Sequence, residues 1–195
     1  GDNLGLLPLL YRRCGVIVVS DADKDDKYTF DSFNNAVRMA NIEENITIDI
    51  DLTPITLSTE LKEMQSKQSV AFGLIHYPPK EGEQCGKTGL LVYLKASVSE
   101  WDPSNLNNME WIAQIDKLKK CIPNALPEES EMNMSDCCED DWHIPAHVEN
   151  YNRKNEHFPH ESTGDQFYDP EQFEAYRALG EHVARQAVRV FEQLA

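Results

Sequence analysis

The sequence predicts an α/β fold, a three-layer arrangement in which a sheet is flanked by helices. Three observations carry that prediction. Val16-Ile17-Val18-Val19 is a short unbroken β-branched run bounded by Gly15 and by Ser20-Asp21, which is how a strand buried on both faces of a parallel sheet reads. Ile46, Ile48, Ile50 and Leu52 alternate with Thr47, Asp49 and Asp51, a period of two. Between these two strands Phe30, Phe33, Val37 and Ala40 recur at helical spacing, giving one apolar face. Strand, helix and strand at this distance form a βαβ unit, for which a right-handed crossover is expected.

The elements follow in order. Leu6-Leu7-Pro8-Leu9-Leu10-Tyr11 reads as a short apolar helix that ends in the two cations Arg12 and Arg13. Pro8 lacks an N–H and suits a first helical position. The strand at 16–19 runs into Asp21, Asp23, Asp25 and Asp26. Chemistry in open α/β sheets gathers at the carboxyl ends of strands, so this acidic turn is the first place to look for a site. The helix from Tyr28 onward has Thr29 as its expected N-cap, with Tyr28 stapled onto Phe33. Residues 70–77 and 89–96 read as two further strands, and their closeness in sequence predicts an antiparallel hairpin at one edge of the sheet. Gly86-Lys87-Thr88 resembles the end of a phosphate-binding loop, but Glu81 stands where that loop needs its first glycine, so a plain hairpin loop is expected. Asp169-Pro170-Glu171-Gln172 opens the best-specified helix, with Asp at the N-cap and Pro at N1. Phe173, Tyr176, Leu179, Val183, Ala187, Phe191 and Leu194 should line its core face.

Composition narrows the function. A chain of 195 residues is long enough for one domain with a true core. Thirty-four acids against 18 bases give a net charge of −16, which argues against nucleic acid as partner and against unaided docking on an anionic membrane. The chain as given carries neither an apolar run long enough to span a bilayer nor a signal peptide. Five cysteines, an odd number with no CxxC pair, point to reduced thiols and an intracellular setting. Residues 101–145 differ in character. Between Cys121 and Trp142 there are seven acids and no base, with Pro123 and Pro127, so this stretch reads as a surface excursion. Asp136, Cys137, Cys138, Glu139, Asp140, Asp141 and His143 include every common ligand type, yet their spacing fits no tetrahedral zinc pattern, and a solvated face is the expectation. No metal and no cofactor are predicted.

A serine hydrolase needs a nucleophile on a strained elbow, a base within reach and an oxyanion hole. The sequence contains no Gly-x-Ser-x-Gly, no Asp-Gly and no Gly-Gly. The densest remaining polar cluster is His157-Phe158-Pro159-His160-Glu161-Ser162 and onward to Tyr168. Histidine, carboxylate and hydroxyl together suit acid–base work, with His160 as the candidate. The plain reading is a loop anchored by Phe158, Phe167 and Tyr168.

Several segments together resemble the patatin-like phospholipases, in particular a large bacterial-type branch. They are Asp2-Asn3-Leu4-Gly5-Leu6, Arg12-Arg13-Cys14, Val16-Ile17-Val18-Val19-Ser20-Asp21-Ala22-Asp23, Tyr28-Thr29-Phe30, Ile48-Asp49-Ile50-Asp51-Leu52, Gly73-x-Ile75-x-Tyr77-Pro78 and Leu91-x-Tyr93-x-Lys95. Near the end, Phe158-Pro159-His160-Glu161-Ser162-Thr163-Gly164-Asp165-Gln166-Phe167 and the run from Gln172 to His182 continue the likeness. No single motif decides it; the collinear set is specific. The resemblance implies lipid acyl hydrolysis by a Ser-Asp dyad without histidine, in which Ser attacks the ester carbonyl, Asp acts as base and a glycine-rich loop holds the oxyanion. In that family the catalytic Asp belongs to an Asp-Gly-Gly motif a few residues ahead of the segment that Asp2 begins here, and neither dyad residue falls on a position of this chain. Asp2 is the one acid near that slot.

The chain is therefore expected to be the carboxy-terminal portion of a patatin-like domain over 1–195, with an acidic insertion at 101–145 where the family has a shorter link. Its partners would be the amino-terminal half of the same protein and, in the complete enzyme, a lipid or ester substrate, with any membrane association supplied upstream. The chain alone should be inactive; Asp2 and His160 are the only candidate catalytic residues within it. A sheet separated from its neighbours exposes a pairing edge, so homo-oligomerisation is a further expectation. The rival is a non-catalytic interaction domain that holds a basic protein through residues 128–141. A third reading is a separately processed subunit whose complementary chain bears the serine.

Overall fold

The computed structural model describes residues 3–56, 66–99, 120, 143–162, 164 and 167–194. Asp2, nearly all of the 101–145 insertion and most of the candidate ligand cluster at 136–143 lie outside the described residues. The elements are α1 (Leu6–Tyr11), β1 (Val16–Asp21), α2 (Asp31–Glu44), β2 (Thr47–Ile50), a 3-10 turn (Thr53–Ile55), β3 (Val70–Tyr77), β4 (Lys87–Lys95), α3 (Ala146–Lys154) and α4 (Pro170–Leu194).

The four strands form one mixed sheet in the order β1-β4-β3-β2. β1 runs parallel to β4, with Val16 opposite Leu90 and Asp21 opposite Lys95, and both other pairings are antiparallel. Helices cover both faces. On one face, Val70, Phe72 and Leu74 of β3 and Leu90 and Val92 of β4 pack with Val148 and Tyr151 of α3 and Ala175, Ala178, Leu179, Val183 and Ala187 of α4. On the other, Ile17 and Val19 join Ala71, Ile75, Leu91 and Tyr93 beneath Leu6 and Leu10 of α1 and Phe33, Ala36 and Ala40 of α2.

This topology corrects two expectations, the place of β1 and that of the hairpin, and sets the spacing of the βαβ unit. Among the described residues β1 is not a middle strand. It lies at the margin of the described sheet, and its residues alternate between exposed and buried. Val16 and Val18 are 39% and 53% exposed, whereas Ile17 and Val19 are buried. The hairpin is antiparallel, as expected, but it occupies the middle of the sheet, so β3 and β4 carry the burial on both faces that β1 was expected to have. Because that hairpin inserts between them, β1 and β2 stand at opposite margins. They keep the parallel sense of a βαβ unit but are not neighbours.

Local signals explain the ends of the elements. α1 begins at Leu6 after Gly5, which sits in the left-handed region at φ 65°, so Pro8 occupies its third position and not its first. α2 begins at Asp31, later than expected, and Thr29 is not its cap. The Asp25 carboxylate takes that duty. It accepts the backbone N–H of Thr29 (2.8 Å), that of Phe30 (2.8 Å) and the Thr29 hydroxyl (3.1 Å), which holds Phe30 at φ 54° in the left-handed region. At α4 the expected cap forms: Asp169 Oδ1 accepts the Gln172 N–H at 2.8 Å. Tyr176 is partly buried and Leu179, Val183 and Ala187 are buried as expected, but Phe173 is 61% exposed. Ala175 and Ala178 take the inward positions near it, where small side chains let the helix approach the sheet closely. Gly73 is required where β2 meets β3: a Cβ there would lie 2.7 Å from Ile50 Cβ and 2.9 Å from the Asp49 carbonyl oxygen.

Candidate functional site

The parallel pairing of β1 with β4 sets the site. Opposed residues of the two strands share a face, so Asp21, Tyr93 and Lys95 all emerge on the α2 side at the strands' carboxyl ends. Lys95 is 0% exposed and Asp21 is 2% exposed. The Lys95 Nζ donates to Asp21 Oδ1 at 3.1 Å and to the Asp23 carbonyl at 3.2 Å. The Tyr93 hydroxyl donates to Asp21 Oδ2, and the Asp23 N–H donates to Asp21 Oδ1 at 2.9 Å. Burial, and then the neighbouring Asp21 carboxylate, push the Tyr93 phenol far up, so it remains a donor. Phe33 and Phe30 close over its ring at 4.8 and 6.0 Å. A buried ammonium is tolerated only when paired and hydrogen-bonded, and these contacts meet that condition.

The acidic turn that follows is where the sequence placed it, and the carboxylates of Asp21, Asp23 and Asp25 are engaged. Asp23 accepts the hydroxyl of Ser32, in the first turn of α2, and Asp25 caps the approach to α2. Burial works to raise the Asp25 carboxyl, but the hydrogen bonds from Phe30 and Thr29 outweigh it and hold it below its ordinary value. Among the described residues no group of three or more His, Cys, Asp or Glu could hold a metal ion.

His160 reaches the same place from a loop distant in sequence. Its ring stands edge-on to Tyr28 with centroids 5.0 Å apart. It is 7% exposed, and among the described residues neither ring nitrogen has a partner at good hydrogen-bond geometry, the Asp23 backbone being the polar group that approaches it. Burial, and then the Lys95 charge, keep its pKa below the ordinary value; Asp25, the Asp23 backbone and Asp26 act in the opposite direction without prevailing. Within the loop Phe158 is buried as expected, but Phe167 and Tyr168 are exposed, so they do not anchor it. The second anchor is Glu161, whose carboxylate accepts the Tyr151 hydroxyl (3.1 Å) and Gln172 Nε2 (3.0 Å).

A second polar cluster went unread in the sequence. Ser66, Ser69, Ser97, Ser99, His182 and Gln186 are all buried. Ser69 Oγ donates to the Ser97 carbonyl (2.9 Å) and lies 2.8 Å from Ser99 Oγ, whose hydroxyl it can accept. Gln186 Nε2 donates to Ser99 Oγ at 3.0 Å and lies 3.0 Å from His182 Nε2, while its Oε1 accepts the Ser69 N–H at 3.2 Å. This network ties the segments flanking β3 and β4 to α4, and the amide of Gln186 stands between the Ser99 hydroxyl and the His182 imidazole. Its signals in the sequence are the spacing of Ser66 and Ser69, that of Ser97 and Ser99, and His182 with Gln186 one turn apart on the apolar face of α4.

Scans against protein-family models, curated proteins and solved structures each found no match.

Proposed function

We propose that this chain is the carboxy-terminal part of a patatin-like lipid acyl hydrolase, supplying scaffold to a Ser-Asp site whose reacting residues lie upstream of Gly1. The observation that carries the reading is the outer side of β1. Val16 and Val18 stand exposed on the sheet face they share with Leu90 and Val92, no described strand pairs with the outer edge of β1, and the strand ends in the buried Asp21–Lys95–Tyr93 cluster. An apolar strand left open at the margin, beside an organised polar cluster, suits a sheet that continues into further polypeptide. The ordered set of patatin-like segments supports the same conclusion. The Ser32–Asp23 pair does not supply the dyad, because it has neither a glycine elbow nor a glycine-rich oxyanion loop beside it.

Ester hydrolysis tests this. The purified chain should release no nitrophenol from a short-chain nitrophenyl ester above a buffer blank. The same chain carrying its upstream polypeptide should release it, and replacing the serine of an upstream Gly-x-Ser-x-Gly elbow should abolish that release. Turnover by this chain alone that vanishes in Asp2→Ala, Ser32→Ala or His160→Ala would place the chemistry within it and overturn the proposal.

A further inference from the structure

We propose that His160 is a pH-sensitive clasp, which holds the 157–162 loop over the carboxyl end of β1 while its ring is neutral and releases the loop when the ring takes up a proton. The loop is fastened on two sides. Toward the helices, Phe158 packs between Tyr151 (5.1 Å) and Tyr176 (4.9 Å). The Glu161 N–H donates to the Tyr176 hydroxyl at 3.3 Å, and its carboxylate accepts from Tyr151 and Gln172. Toward β1 the fastening is the His160 ring itself, set against Tyr28.

Among the described residues, the groups that act most strongly on that ring come from two elements. Lys95 comes from β4; Asp25, Asp26 and the Asp23 backbone come from the turn after β1. Tyr28 lies against the ring, and burial keeps its phenol protonated. From the loop itself, the His157 carbonyl accepts the His160 backbone N–H at 2.6 Å. The neutral ring bears nitrogens without a well-aligned partner among the described residues at a modest desolvation cost. An imidazolium would bring two N–H donors and a full charge into the same enclosure beside the Lys95 ammonium, and that cost is much larger.

The direction follows from linkage. A free histidine takes up its proton as the pH falls through 6.5, and burial followed by the Lys95 charge places the folded value below that. In that interval the opened loop binds a proton that the closed loop does not. Closure is therefore at full strength above the free value and weakens as the pH falls, by up to about tenfold in the closing equilibrium per pH unit. Opening would uncover the Tyr28 ring against which His160 is set. The inference does not depend on the acyl-hydrolase reading, and its test uses no ester.

The experiment follows the His160 ring signal and amide exchange across 157–162 by NMR on the unsubstituted chain, between about pH 8 and about pH 5. His160 should titrate below 6.5, and exchange in the loop, corrected for intrinsic chemistry, should rise by up to about tenfold per pH unit below the free value. His160→Phe and His160→Gln should remove that rise. Titration of His160 at or above 6.5, or an unchanged rise in both variants, would overturn the proposal. Should neither variant fold, the ring titration and the exchange of the unsubstituted chain decide the matter.

Discussion

At the carboxyl end of β1 a lysine side chain is buried completely because an aspartate stands opposite it on the adjacent parallel strand. Desolvating either charge alone costs several kcal/mol, and their attraction offsets this only with good geometry and further hydrogen bonds. Tyr93 and the Asp23 backbone supply those bonds. Lys95→Met, which keeps the stem and removes the charge, should therefore lower stability by about 3–5 kcal/mol, read as a shift in urea unfolding, because it strands the Asp21 carboxylate in the interior. Lys95→Met with Asp21→Leu should recover much of that loss. Part of this site was legible in the sequence. Asp21 stood out by its place at the end of a β-branched run, and His160 by its polar neighbours. Lys95 did not, because only the strand register brings it to Asp21, 74 residues away in the chain.

Among the elements, the starts of α4 and α2 show how the reach of a cap decides whether it is legible in the sequence. The Asp169 cap of α4 is a contact across three residues, so its spelling was sufficient. The start of α2 is fixed by Asp25, which binds the amides of residues four and five positions on, and this displaced the expected cap at Thr29. That difference has a measurable consequence in acid. The Asp25 carboxyl is held below its ordinary 3.8, so the unfolded chain takes up its proton first as the pH falls. Its contribution is present in full above that value and is lost as the pH falls through the folded one. Asp25→Asn should leave unfolding in urea less pH-dependent below 3.8 than in the unsubstituted chain and should also weaken α2 at neutral pH. The His160 window opens at 6.5, above the 3.8 at which the Asp25 window opens, so the first part of an acid titration reports His160 without Asp25.

For the molecule as a whole, the layering was legible, because alternation and helical spacing report which faces are buried. Strand order was not, because it depends on pairing between distant segments. The apolar run of β1 suited a doubly covered strand, yet the hairpin of β3 and β4 took that place and left β1 at the margin. The Leu90 N–H donates to the Gly15 carbonyl, and the Ala96 N–H to that of Asp21. In a parallel ladder this parity turns the amides of Ile17, Val19 and Asp21 toward β4 and those of Val16, Val18 and Ser20 outward. Amide hydrogen exchange along β1 therefore tests most directly whether that outer side awaits further polypeptide. In this chain alone the amides of Val16, Val18 and Ser20 should exchange fast beside slow partners at Ile17, Val19 and Asp21, and attachment of the upstream polypeptide should slow all six. Outward amides that are already protected in this chain, or that stay fast once the upstream polypeptide is attached, would contradict the account.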